Sequence, residues 1–282
     1  MTRTILVPMT GNMRAEPLLD AALSAARVID ANIRVLFIQP DPATAVGYMA
    51  EMPLAGFSTE AILAGMGEIA ATERYAFQAW RRDHGIADTG HGDSAGVSAS
   101  WTDQSGAIDA VVSRFGRLAD MIMAYRPKEG SVLLRHCFDA AVFGAGRPTL
   151  VIDAPLPAGF ADHILIAWNG SLEASRALAG AMPLLERARR VSILSAREYD
   201  RHAVDLTDLA AALSDRGIAT PEVVFCPGRG SAGPQLVDAA NAQGATMIVM
   251  GAYTHSRFRE SVLGGVTRHL LAHAPVPLLM CH

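Results

Sequence analysis

The chain has 282 residues, half of them hydrophobic and 18% charged, with a formal net charge of -4. That length suits two ordinary domains with ample cores, and the composition excludes a disordered chain. The slight acidic excess argues against recruitment of nucleic acid by an overall basic field.

The opening, Met1-Thr2-Arg3-Thr4-Ile5-Leu6-Val7-Pro8, lacks the apolar stretch of about 7–15 residues that a secretory leader needs. No run reaches the ~18 apolar residues of a membrane span. Cys137, Cys226 and Cys281 are scattered and form no CxxC. Such a set predicts reduced thiols in a cytoplasmic protein and no metal site.

Thr4 to Met9 predicts a buried strand, closed by Thr10-Gly11-Asn12. A helix follows, with Pro17 in its first turn and Leu18, Ala22, Ala25, Ala26 and Ile29 as its apolar positions. Ile33 to Ile38 reads as a second strand, broken by Gln39-Pro40-Asp41-Pro42. Ala43 to Phe57 is aperiodic and Met-containing, which predicts a lid or a partner surface. A long helix is expected over Ser58 to His84. Then come strand Val97 to Trp101, helix Ile108 to Ala119, strand Met121 to Ala124, helix Val132 to Phe143 and strand Pro148 to Ile152. Asp153 to Gly159 carries two prolines and a glycine and reads as a linker.

The second half repeats this order. His163-Ile164-Leu165-Ile166-Ala167-Trp168-Asn169-Gly170-Ser171 aligns with Thr4 to Asn12, and the segment from Ala245 to Val249 aligns with Ala119 to Met123. Helices are expected over Leu172 to Ala188, Leu206 to Arg216 and Gln235 to Gln243, and strands over Val191 to Leu194, Glu222 to Cys226 and Val276 to Met280. The repeat predicts two domains, residues 1–153 with the inserted segment 43–57, and residues 160–282.

Strands alternating with helices predict an α/β fold of two tandem doubly wound parallel five-stranded sheets, Rossmann-like, in the order 3-2-1-4-5. Ligands bind such sheets beyond the carboxyl ends of the strands, where the winding reverses. In that order the first and fourth strands are neighbours. Trp168-Asn169-Gly170 would therefore face the stretch that follows Met247 to Met250. That stretch holds Gly251, a loop carrying Arg257 and Arg259, the pair Gly264-Gly265, and a helix start at Val266. Glycines allow close backbone approach, and a helix N-terminus attracts phosphate.

Trp168-Asn169-Gly170-Ser171-xx-Ala174-Ser175, Met250-Gly251 and the ending Leu270 to Leu279 resemble the universal stress protein family in its tandem two-domain form. The resemblance covers both halves, more sharply the second. ATP-binding members share the pattern Gly-x2-Gly-x9-Gly-Ser/Thr. Here Gly251 and Gly264 match; Thr254 replaces the second glycine, Gly265 replaces the hydroxyl residue, and Asn169 stands where the family usually has Asp.

The resemblance implies a regulatory site for ATP or a related adenine nucleotide in the second domain. It would be formed by Ala167, Trp168, Asn169, Gly251, Ala252, His255, Ser256, Arg257, Gly264, Gly265, Val266 and Thr267, with no metal beyond nucleotide-bound Mg. It also implies domain pairing through the last strands, within one chain between Thr149 to Ile152 and Pro277 to Cys281, with a homodimer of chains left open. In the first half, Ala124 to Ser131 lacks the glycine pattern, and Pro127 removes an N–H, so no nucleotide is expected there.

GxxxxGK[ST] does not occur, and no GxSxG surrounds Ser171 or Ser175. Gly228 to Gly233 matches GxGxxG loosely but follows a third strand. His255 and His269 have no nucleophile or carboxylate placed beside them by motif, so no catalysis is expected. A slow ATP hydrolase and a nucleotide-free module binding an unknown protein partner are the alternatives.

Overall fold

The computed structural model describes residues 3–11, 15–40, 44–45, 48, 59–88, 96–128, 130–153, 155–196, 206–218, 222–226, 231–252 and 265–282. It divides into two compact units. One comprises Met1–Arg147 with Asp153–Pro155, and the other Pro148–Ile152 with Leu156–His282.

The first unit is built from β1 (Arg3–Met9), α1 (Ala15–Ile29), β2 (Ala31–Gln39), α2 (Thr59–Asp83), β3 (Ala99–Ser105), α3 (Ile108–Gly116), β4 (Met121–Tyr125) and α4 (Val132–Asp139). Its strands run β3-β2-β1-β4, all parallel. Ile5, Val7, Ile33 and Val35 are fully buried, as central strands covered on both faces require.

Two elements differ from the sequence expectation. β3 starts at Ala99 and runs through the polar residues Thr102 to Ser105, in register with β2 from Ile33↔Ala99 to Gln39↔Ser105. An edge strand keeps polar side chains in water, so its apolar pattern stops before its pairing does. After α4 the backbone widens into a π-helical turn, Ala140–Gly144. There a Cβ on Gly144 would collide with the Ser113 side chain of α3, so the glycine lets the two helices pack closely.

Within the 43–57 segment, Ala45 and Tyr48 are buried. Tyr48 Oη accepts the Ile108 N–H at 3.0 Å, supplying α3 with an N-terminal partner. Its ring lies 4.7 Å from that of His136, and His136 Nδ1 is 3.0 Å from Asp109 Oδ1. At these residues the segment packs inward rather than forming a surface. The rest of it, and Ser58 at the expected start of the long helix, lie outside the described residues.

The second unit contains β5 (Thr149–Ile152), β6 (His163–Ala167), α5 (Leu172–Leu185), β7 (Arg190–Ala196), α6 (Leu206–Ser214), β8 (Glu222–Cys226), α7 (Ala232–Gln243), β9 (Met247–Gly251), α8 (Gly265–His273) and β10 (Leu278–Cys281). The parallel order is β8-β7-β6-β9-β10, the expected 3-2-1-4-5 arrangement. β5 adds antiparallel to β10, with Leu278↔Val151 and Met280↔Thr149 in register. Among the described residues, no helix is long and apolar enough to cross a membrane.

Candidate functional site

β6 and β9 are parallel neighbours, and Ala167 stands opposite Met250. The segments leaving the two strands, Trp168-Asn169-Gly170 and Gly251-Ala252, therefore start at one level, where the winding reverses.

The first segment is shaped by its own side chains. Trp168 N–H donates to Leu194 O at 2.8 Å. Gly170 has φ +74°, a turn conformation that L side chains rarely adopt. Asn169 Oδ1 accepts the Ser171 N–H at 3.1 Å, and Ser171 Oγ accepts the Ala174 N–H at 3.1 Å as the N-cap of α5. Asn169 thus keeps its amide donors while its oxygen fixes the turn. The N-terminus of α5 is capped from within.

Gly251 has a packing reason. A Cβ there would lie 2.6 Å from Ala174 N and 2.8 Å from Glu173 C. The first turn of α5 crosses directly over it. Ala252 is fully buried, and its backbone is engaged on both sides. Its N–H donates to Cys281 O at 2.8 Å, and its C=O accepts from His282 Nδ1 at 2.9 Å. Ala252 therefore brings no spare donor.

The next described element is α8. It starts at Gly265, which is exposed, and a Cβ on Gly265 would meet nothing within 4 Å. Helix first-turn N–H groups lack intrahelical partners. Val266 is half-buried. Thr267 and Leu270 are the buried residues of α8. His255, Ser256, Arg257 and Gly264 lie outside the described residues.

Trp168 is buried at 5% exposure, and its Nε1 has no hydrogen-bond partner among the described residues. Such a donor costs about 1–3 kcal/mol unless a ligand or water accepts from it. Sequence reading places Trp168 in the site but gives no sign of the orphaned N–H, because nothing in a motif says where an indole nitrogen ends.

The equivalent place in the first unit is filled by its own chain. A Cβ on Gly11 would collide with Ile69 Cγ2 of α2, so that side chain lies over the first-strand turn. Tyr125 replaces Gly251. Arg126 is buried, with Nε 3.0 Å from Asp153 Oδ2. Burial pulls the Arg126 pKa down, and Asp153 opposes the shift; the guanidinium remains charged. Thr10 Oγ1 is buried without a partner among the described residues.

Other reactive groups are structural. Burial, helped by Asp109, pushes the Cys137 thiol up to about 12. Cys281 is also raised, chiefly by burial. Both stay protonated at neutral pH and are poor nucleophiles. His163 Nε2 lies 2.9 Å from Ser192 Oγ in a buried pair, but His163 begins β6, at the far end of the strand from the site.

The Universal stress protein family model matches residues 161–282. No curated protein matches the chain. Its fold is similar to that of a universal stress protein from Archaeoglobus fulgidus DSM 4304, with TM-score 0.71 and 16% identity over 99% of this chain and 97% of that one. It is also similar to a provisionally named universal stress protein from Pseudomonas aeruginosa UCBPP-PA14, with TM-score 0.55 and 14% identity over 99% of this chain and 93% of the other. At these identities the likeness is one of fold. Residues 161–282 match the universal stress protein family, and the chain's likeness to that family rests on this segment.

Proposed function

We propose that the chain is a cytoplasmic tandem universal stress protein whose second domain binds one adenine nucleotide, ATP by preference, as a regulatory ligand. The observation that carries the reading is the β6–β9 register, which brings Trp168-Asn169-Gly170 level with Gly251. The exposed start of α8 at Gly265 supplies N–H groups and a positive dipole end for phosphates. Trp168 Nε1 and the Asn169 amide would orient the remainder of the ligand. When bound, the nucleotide supplies binding energy that favours one conformation over another, not a chemical step.

The first unit is read as a degenerate copy, closed by Ile69 and by the Arg126–Asp153 pair. One nucleotide per chain is therefore expected. A second reading, a nucleotide-free interaction module, is favoured by Gly251 and Ala252, whose identities packing and strand hydrogen bonds already explain.

Calorimetric titration of the full chain with ATP decides between them. The expected result is saturable binding with a stoichiometry of one. Trp168→Phe should weaken it about 2–10-fold, the range of one hydrogen bond. No heat and no thermal protection at about 1 mM ATP would leave the interaction module as the reading.

A further inference from the structure

Helix α2 buries one face and leaves the opposite face bare. Phe77 and Trp80 face the first unit at 1% and 5% exposure, whereas Tyr75 is 68% exposed. On a helix of 3.6 residues per turn, the positions three, four and seven residues either side of Tyr75 return to within about 60° of it. Of these six, Ala79 is half-buried and the other five are exposed. We propose that this stripe is a homodimer surface, on which two copies of the chain pair their α2 helices antiparallel about a two-fold axis through Tyr75. The surface lies in the first unit and does not depend on the nucleotide reading.

The stripe is complementary to itself when reversed. An antiparallel two-fold pair sets each residue before Tyr75 opposite the residue equally far after it in the second copy. Seven places out, Glu68 meets the second copy's Arg82, twice per interface. Four places out, Ala71 meets Ala79, and these small side chains let the helix axes approach to the ~8–10 Å of packed helices. Three places out, Thr72 meets Gln78. The Thr72 hydroxyl already donates to Glu68 O at 2.8 Å, so covering it orphans no donor. The two Tyr75 rings fall at the axis, where offset stacking covers both.

The charges beside the stripe are used within the chain. Arg74 pairs with Asp103 at 3.3 Å and Arg81 with Asp88 at 2.7 Å. Among the described residues, neither Glu68 nor Arg82 has an ion-pair partner. Exposed ion pairs add little affinity, so their part is to set direction. Parallel helices would place Glu68 against Glu68 and Arg82 against Arg82, which like-charge repulsion opposes. Tyr75 and the alanines supply the apolar contact.

The helix ends at Asp83, eight places past Tyr75, so the overlap is about 25 Å long at ~1.5 Å per residue. Such a contact is smaller than the ~1,600 Å² of a standard interface, which sets the expected dissociation constant at about 10–100 μM.

Sedimentation of the full chain from about 1 to 500 μM tests this. The expected result is a monomer that becomes a dimer across that range. Arg82→Glu and Glu68→Arg should each weaken association at least about fivefold by setting like charges opposite. The double variant Glu68→Arg/Arg82→Glu should restore it, because the pairs re-form with their signs exchanged. All these side chains are exposed, so melting of the monomers should match wild type. Under mild oxidation, Tyr75→Cys should cross-link two chains at the axis. Glu68→Cys, about 10 Å away along the helix, should not exceed wild type. A chain that stays monomeric at the highest concentration overturns the proposal. So does a dimer that Arg82→Glu leaves equally tight, a double variant no tighter than the single ones, or cross-linking equal in Tyr75→Cys and Glu68→Cys.

Discussion

Replacing Gly251 with valine is expected to lower the stability of the second unit by about 2–4 kcal/mol. The new Cβ would lie 2.6 Å from Ala174 N and 2.8 Å from Glu173 C. Both are backbone atoms, so no rotamer change relieves the clash, and α5 must move as a body. The atom struck first, Ala174 N, also donates to Ser171 Oγ, so the helix loses its cap as it shifts. The contribution is therefore overpacking plus a lost cap. Denaturant unfolding followed through Trp168 would report it. Gly265→Ala is the contrasting change. Its Cβ has open space, and alanine favours a helix over glycine by about 0.5–1 kcal/mol. Gly265→Ala should leave stability equal or higher while lowering ATP affinity if the backbone there touches phosphate. A Gly251→Val protein as stable as wild type would remove the packing account of that glycine.

Phe77→Ala should destabilise the first unit by about 3–5 kcal/mol. Phe77 is 1% exposed and is the middle rung of an aromatic ladder. Its ring centroid is 5.3 Å from that of Trp101 and 6.1 Å from that of Trp80. Trp101 stacks in turn on Phe37 of β2, centroid to centroid at 5.3 Å, while Trp80 Nε1 donates to Asp20 Oδ1 of α1 at 2.8 Å. The ladder fastens α2 to the edge of the sheet and to α1. Alanine leaves a cavity between two indoles that hydrogen bonds hold in place, so collapse is limited. Fluorescence of Trp80 and Trp101, read in a Trp168→Phe background, follows this unit alone. A loss below about 1 kcal/mol would mean that α2 is fastened elsewhere.

The fold was largely legible because its signals are periodic and repeated. The alignment of His163 to Ser171 with Thr4 to Asn12 and the short apolar strands gave the winding, and the winding gave the β6–β9 adjacency. Glu222–Cys226 and the start of α5 at Leu172 fall where the pattern places them. What sequence could not give were relations between residues distant in the chain. Gly251 looks the same whether phosphate or the first turn of α5 comes close. Thr267 gives no sign in the sequence that it is buried on α8. Nothing in Ile69 suggests that it lies over Gly11, since that depends on where α2 docks. Four expected site residues, His255, Ser256, Arg257 and Gly264, lie outside the described residues, so their part in the site rests on the family resemblance.

Strand β5 bears on how the chain can be divided for experiment. Its four residues are almost fully buried and run antiparallel to Leu278–Cys281, although they precede the linker that separates the repeats. A fragment begun at the linker would leave β10 with a bare row of amide and carbonyl groups beside an apolar face, a template for self-association. A fragment begun at Pro148 carries its own cover. The sequence repeat and the compact unit are thus out of phase by one strand, and a cut placed by the repeat alone would strip β10 of its antiparallel neighbour.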